Sequence, residues 1–300
     1  MREARAAAEA IVSTERPAGI RPPRALLRGH LAQCCAAELC GTFILVLLGT
    51  GAVHAAVLTK AHSGLFQVAA VWGIAVAIAI HATAAVSGAH INPAMTAAFA
   101  LVGGFPKSRV LPYWVSQTAG AFLASAVLYA MFGGFLADAE TASGVPRGSP
   151  GSEATACCYG EYFPNPGLGL DPATIDNVSE GRAMLAEVVG TALLAFVVFA
   201  LSEAANRNAP GSQLTPAFIG LTITGLISIT APLTQACFNP ARDFGPRLFA
   251  WLAGWGSVAI PGPRGGFFTV YIAAPICGAV LGAAMFHYLM RPSYETKGGD

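Results

Sequence analysis

Ile91-Asn92-Pro93-Ala94-Met95 and, far downstream, Phe238-Asn239-Pro240-Ala241-Arg242 are the two stretches on which the fold turns. Asparagine is a favoured helix N-cap, because its side-chain oxygen accepts from backbone N–H groups left unpaired at a helix start. Proline suits the next position, where its missing N–H would have had no partner anyway. Each stretch therefore begins a helix. One such triplet in a loop is an ordinary helix start; two of them inside sequence almost free of charge are not. The segments that follow, Pro93–Val102 and Pro240–Leu252, are too short to cross a hydrocarbon core of about 30 Å. At 1.5 Å per residue, ten residues cover roughly 15 Å. Two such helices meeting at their starts would together span the membrane.

Outward from these triplets the chain repeats itself. Ala37-Glu38-Leu39-Cys40-Gly41-Thr42 returns as Ala186-Glu187-Val188-Val189-Gly190-Thr191, at nearly the spacing that separates Asn92 from Asn239. Hydrophobic residues make up 54% of the chain and charged residues 11%, well short of the roughly 25% charged residues of a soluble domain. Spans are read at 33–58, 64–86, 110–133, 181–202, 213–232 and 267–290. Three spans per unit is an odd number, so the second copy lies upside down relative to the first. The fold class is all-α: six transmembrane helices plus two re-entrant half-helices in an inverted 3+3 repeat. Inverted repeats place a solute path at their interface, near the midplane, lined by broken helices.

The expected organisation is a disordered cytoplasmic N-terminal tail over 1–32, a channel domain over 33–290 and a C-terminal tail over 291–300. Within the channel, repeat one covers 33–134, an outside loop 135–180 and repeat two 181–290. Alternating topology gathers eleven Lys and Arg on the side of the N-terminus against six on the other, which puts both termini in the cytoplasm. A net charge of +1 gives no field that would favour nucleic acid. The seven cysteines show no metal-binding spacing. No cofactor motif or nucleophile–base pair is present, so neither an enzyme, a cofactor nor a metal is expected.

Between two facing helix starts a cation is repelled by the dipoles, and each Asn amide can donate to a passing oxygen. Half-helix dipoles and an Arg lining a pore are a general means of excluding protons and cations. Arg242 lies in the first turn of the second half-helix, where an ionised side chain at membrane depth is costly and marks function. Its counterpart in repeat one is Met95, so a filter at one mouth is expected. Glu38 and Glu187 occupy matching places within spans, with no repeated lysine or arginine nearby. A scaffold role follows, in which each accepts backbone N–H groups of the loop before an Asn.

Ser87-Gly88-Ala89-His90-Ile91-Asn92-Pro93-Ala94-Met95-Thr96 and Phe238-Asn239-Pro240-Ala241-Arg242-Asp243-Phe244-Gly245-Pro246-Arg247 resemble the two signatures of the major intrinsic protein family, the second being similar to the glycerol-conducting branch. The resemblance covers about 33–290. It implies a homotetramer with one pore per subunit and a four-position filter at Trp72, Ile227, Ala236 and Arg242. It also implies a ladder of backbone carbonyls at Gly88, Ala89, His90, Ile91, Gln235, Ala236 and Cys237, with Asp243 in a supporting role. The glycerol-conducting branch has a bulky aromatic at the place of Ala236; with Trp72, Ile227 and Arg242, an alanine there is more like plant nodulin-like intrinsic proteins. The expected activity is passive conduction of glycerol and similar polyols with some water, in the plasma membrane (a bacterial inner membrane). The same-fold alternatives are urea and metalloid hydroxides such as arsenite and boric acid. A coupled secondary transporter is the alternative of another class.

Overall fold

The computed structural model describes residues 24–168 and 177–295. The described residues from Gln33 onward make one compact unit, and those before Gln33 belong to another. The tail expectations for 1–23 and 296–300 lie outside the described residues. Among the described residues every regular element is helical. Six helices are long and apolar enough to cross a membrane: His30–Thr59, Leu65–Ser87, Lys107–Ser143, Glu180–Ser202, Thr215–Thr234 and Thr269–Tyr294.

In chain order, α1 is Arg24–Thr59, α2 Leu65–Ser87 and α3 the half-helix Pro93–Leu101. Then come α4 at Val110–Ser143, the short α5 at Glu153–Ala156, α6 at Glu180–Ser202 and α7 at Thr215–Thr234. The second half-helix, α8, covers Pro240–Ala250, and the last span is centred on α9, Ala274–Met285. The third span runs ten residues past its expected end at 133. Gly133 and Gly134 do not stop it, because Leu136 one turn on is fully buried in a cluster with Cys157, Tyr159 and Trp255. Packing overrides the weak helix propensity of glycine; the stop comes at Gly144, in the left-handed region at φ 65°. The first nine residues assigned to the outside loop are therefore helix.

Two close approaches fix the repeats against each other. Helices α2 and α7 touch at Gly73 and Gly220, where a Cβ on either would run into the other's backbone carbonyl. Small residues are what lets membrane helices approach at backbone distance. The second approach is duplicated. A Cβ at Gly41 of α1 would meet Ile91, and one at Gly190 of α6 would meet the Phe238 ring. Both glycines sit in the repeated hexapeptides, and both contacted side chains immediately precede a capping asparagine. Gly190→Val is accordingly expected to push Phe238 out of place, costing about 1–3 kcal/mol as overpacking. A lowered melting temperature in detergent together with reduced solute flux checks this; an unchanged pair of values would mean that the contact is slack.

Candidate solute pathway

Each half-helix starts in the same way. Asn92 takes an extended conformation, and its Oδ1 accepts from the backbone N–H of Ala94 at 2.8 Å and of Met95 at 3.4 Å. Asn239 does the same for Ala241 at 3.1 Å and Arg242 at 3.3 Å. The two starts face each other. Asn92 Nδ2 donates to the carbonyl of Phe238 at 2.8 Å, and Asn239 Nδ2 donates to the carbonyl of Ile91 at 2.8 Å. One amide hydrogen of each Asn is thus committed across the pseudo-two-fold axis, which leaves one for the lumen. Both asparagines line a void of about 510 Å³.

The loops leading into the asparagines are backbone duplicates. Gly88, Ala89 and Ile91 have positive φ, as do Gln235, Ala236 and Phe238. Five of these six are not glycine, and a non-glycine residue held in that region costs of order 1–3 kcal/mol. Buried carboxylates hold them there. Glu38, fully buried, accepts from the N–H of His90 at 2.9 Å and of Ile91 at 2.6 Å, and from Ser87 Oγ at 2.7 Å. Glu187 accepts from the N–H of Cys237 at 2.9 Å and of Phe238 at 2.8 Å, and from Thr234 Oγ1 at 2.6 Å. Ser87 Oγ and Thr234 Oγ1 in turn accept from Ala89 and Ala236, at 3.0 and 3.2 Å. Glu38 has a further partner: Gln117 Nε2 donates to it at 2.7 Å, and to Thr96 Oγ1 at 3.0 Å.

A second void of about 250 Å³ adjoins the first, and Trp72, Ile227 and Arg242 line both. These three residues therefore stand at the neck between the voids, with Ala236 on the wall of the larger one. The Arg242 guanidinium carbon sits 4.1 Å from the centre of the Trp72 ring, within cation–π range. Its charge is met by an ion pair with Glu161 of the loop between α4 and α6, 3% exposed. Of the ladder residues, Gly88, Ala89, His90, Ile91, Ala236 and Cys237 line the larger void, whereas Gln235 lines the smaller one. Phe238, quoted in the second motif but given no place on the path there, lines the larger void and supplies the carbonyl for Asn92.

The loop between α4 and α6 is built into the neck. Asp243 accepts from the N–H of Glu161 at 2.7 Å and pairs with Arg247, whose Nη2 lies 2.8 Å away. Arg247 also donates to the carbonyls of Ala259, at 2.7 Å, and Glu161. Gln235 Oε1 accepts from the N–H of Tyr162 at 2.8 Å, and its Nε2 donates to the carbonyl of Cys157 at 3.2 Å. Glu161 and this bracing were missed in the sequence. The one available signal was Arg242 itself, since a cation at membrane depth demands an acidic partner. Nothing in the linear order singles out Glu161 among the loop's carboxylates.

Chemically, the passage has two sides. Leu45, Val76, Ile80, Leu194, Ile219 and Ile223 give the larger void an apolar wall, and the loop carbonyls, both asparagines and Arg242 give it a polar strip. No titratable pair or metal group is needed for that arrangement to select a neutral solute; it offers hydrogen bonds on one side and van der Waals contact on the other.

Comparisons with known proteins agree with this architecture. The family profile described as Major intrinsic protein matches residues 27–286. The propanediol uptake facilitator of Citrobacter freundii is 40% identical over 265 residues, covering 88% of this chain and 94% of that protein. The glycerol uptake facilitator protein of Pseudomonas aeruginosa is 42% identical over 258 residues, covering 85% and 88%. The glycerol uptake facilitator protein of Escherichia coli K12 is 40% identical over 257 residues, covering 85% and 87%. In fold, the chain is similar to the X-ray structure of the aquaglyceroporin from Plasmodium falciparum, with a TM-score of 0.75 at 22% identity over 89% of this chain and 99% of that one. A profile match over nearly the whole chain, relatives near 40% identity and six apolar helices around facing half-helix starts lead to one conclusion: the chain belongs to the major intrinsic protein family of multi-pass membrane channels.

Proposed function

We propose that this protein is a passive channel for small uncharged polyols, glycerol and propanediol foremost, with some water passing alongside. The observation that carries this reading is the two-sided void: an apolar wall facing a strip of carbonyls, two Asn amides and an Arg. A polyol has that same division, with CH faces on one side and hydroxyls on the other. The relatives near 40% identity are named for uptake of glycerol and propanediol, which supports the same solute class. In this reading the filter is Trp72, Ile227, Ala236 and Arg242, and Glu38, Glu187 and Asp243 are scaffold. The protein is a homotetramer in the plasma membrane, with both termini in the cytoplasm as the distribution of Lys and Arg indicates. The division into tail, repeat one, outside loop and repeat two is part of this proposal, with the first helix beginning at Arg24 and α4 ending at Ser143.

A second solute class is favoured by one specific residue. Ala236 leaves its part of the wall of the larger void without an aromatic, which widens the passage toward urea or neutral metalloid hydroxides. Stopped-flow light scattering on proteoliposomes, run with glycerol, urea and arsenous acid, separates the two. Glycerol flux well above that of empty liposomes supports the first reading, and flux no faster than empty liposomes overturns it. Ala236→Phe is expected to narrow the neck, so that the ratio of glycerol to urea flux rises. Unchanged relative fluxes would remove Ala236 from the wall.

A further inference from the structure

A third void, of about 300 Å³, lies beside the two that meet at the neck. Its walls come from the loop at 161–166, from the loop at 261–267 and from Tyr271 near the start of the last span. Among the described residues, Asn165 alone lines both this void and the one of about 250 Å³, and no residue lines both it and the larger one. It therefore flanks the conducting path rather than forming part of it. Its volume matches the lower end of the range for small-molecule pockets, roughly 300–1,000 Å³. Such pockets are mostly apolar, with a few polar groups that fix the ligand. Here Phe163, Phe267 and the Tyr271 ring supply aromatic surface, and Pro164, Pro261 and Pro263 stiffen the two loops.

Two polar atoms at this void have no hydrogen-bond partner within the protein: Glu161 Oε2 and Tyr271 Oη, on residues 3% and 1% exposed. Their neighbours are committed. Tyr162 Oη donates to the carbonyl of Val258 at 2.9 Å, and Arg247 donates to Asp243 and to the carbonyls of Ala259 and Glu161. Buried polar atoms in folded proteins are nearly always satisfied. A carboxylate oxygen and a phenol left over at one void call for a ligand that donates to the first and accepts from the second. Charge narrows the choice. Two carboxylates, Glu153 and Glu161, and two guanidiniums, Arg247 and Arg264, line the void, so neither a cation nor an anion is favoured. A neutral hydroxyl compound fits both conditions, with its CH faces against the rings.

We propose that this void is a binding site for a neutral polyol of five or six carbons, held beside the conducting path. At a liquid share of about 30 Å³ per water, the space takes roughly ten waters, more than the three carbons and three hydroxyls of glycerol fill. Ligand hydroxyls donate to Glu161 Oε2 and accept from Tyr271 Oη. The other Glu161 oxygen pairs with Arg242, so the bound polyol touches the residue that balances the charge at the neck. The site goes beyond polyol conduction and does not depend on it.

The test uses the full chain in lipid nanodiscs with sorbitol as the probe, read by saturation-transfer NMR over a sorbitol titration. The natural chain should give a saturable signal. Tyr271→Phe should weaken binding roughly three- to tenfold, the worth of one hydrogen bond, and Phe163→Leu should weaken it as well. Ala236→Phe, which narrows the conducting path and leaves this void alone, should bind as the natural chain does. Glycerol flux of Tyr271→Phe in proteoliposomes should stay within twofold of the natural value. No saturable signal on the natural chain, or binding unchanged in Tyr271→Phe, overturns the site. A signal lost in Ala236→Phe and kept in Tyr271→Phe places the polyol in the path, and overturns it too. A large loss of flux in Tyr271→Phe would overturn its position beside the path. Absent glycerol flux in the natural chain would count against the channel reading, while the sorbitol titration still decides the site. If Tyr271→Phe fails to fold, Phe163→Leu carries the comparison.

Discussion

Arg242→Ala is expected to convert a channel that excludes charge into one that leaks it. In the natural chain the guanidinium lies over the Trp72 ring at the neck between the two voids, paired with Glu161. Removing it widens the neck and takes away the one positive side chain there. It also leaves a buried carboxylate unpaired at the entrance, which favours cations. Breaking a buried pair by deleting one partner costs about 3–5 kcal/mol, so a lower melting temperature should accompany the leak. The Arg242→Ala/Glu161→Gln double variant separates the two effects. It should recover much of the stability, because no uncompensated charge is left, yet still pass more protons than the natural chain. A pH-sensitive dye trapped in proteoliposomes reads the leak. A channel as tight as the natural one after Arg242→Ala would remove the selectivity role given to this residue.

The second large effect is expected at Glu187. Its two oxygens serve the N–H groups of Cys237 and Phe238 and the hydroxyl of Thr234. Glutamine is nearly isosteric, but its NH2 would face one of those donors. A buried donor left without an acceptor costs about 1–3 kcal/mol. That loss falls on a loop already holding Gln235, Ala236 and Phe238 at positive φ. Glu187→Gln should therefore release the loop, misplace Asn239 and abolish most of the glycerol flux. Glu38→Gln should do less. Gln117 donates to Glu38 and has a buried Oε1 with no hydrogen-bond partner, so turning its amide over would supply an acceptor for the new NH2. Flux and thermal stability of the two variants, measured side by side, check the order. Equal losses would mean that Gln117 gives no relief.

The order of these effects reflects what was legible in the sequence. Asn92 and Asn239 were readable because a helix start has a residue-level signature, and the repeat fixed their relation without any contact information. Glu38 and Glu187 were readable for the same reason: a carboxylate repeated at membrane depth needs donors, and the nearest unpaired ones belong to the loops. Glu161 was not readable. Its partner is 81 residues away on another element, and charge alone does not distinguish it from Glu153 or Glu140. The extension of α4 to Ser143 was hidden by Gly133-Gly134, whose low propensity is overruled by a contact at Leu136 that exists only once the following loop has folded. Gly41 and Gly190 stood in the quoted repeat, but the reason for them became visible only with the ring and side chain they accommodate. In each case the missing information was a long-range contact, which no local pattern carries.

Proton conductance and glycerol flux recorded on the same proteoliposome preparation test most directly whether the opposed half-helices enclose a narrow passage for neutral molecules. Glycerol should equilibrate far faster than in protein-free liposomes while an imposed proton gradient decays no faster than in them. A gradient that collapses at the rate of solute entry, or glycerol entry no faster than across bare lipid, would contradict it.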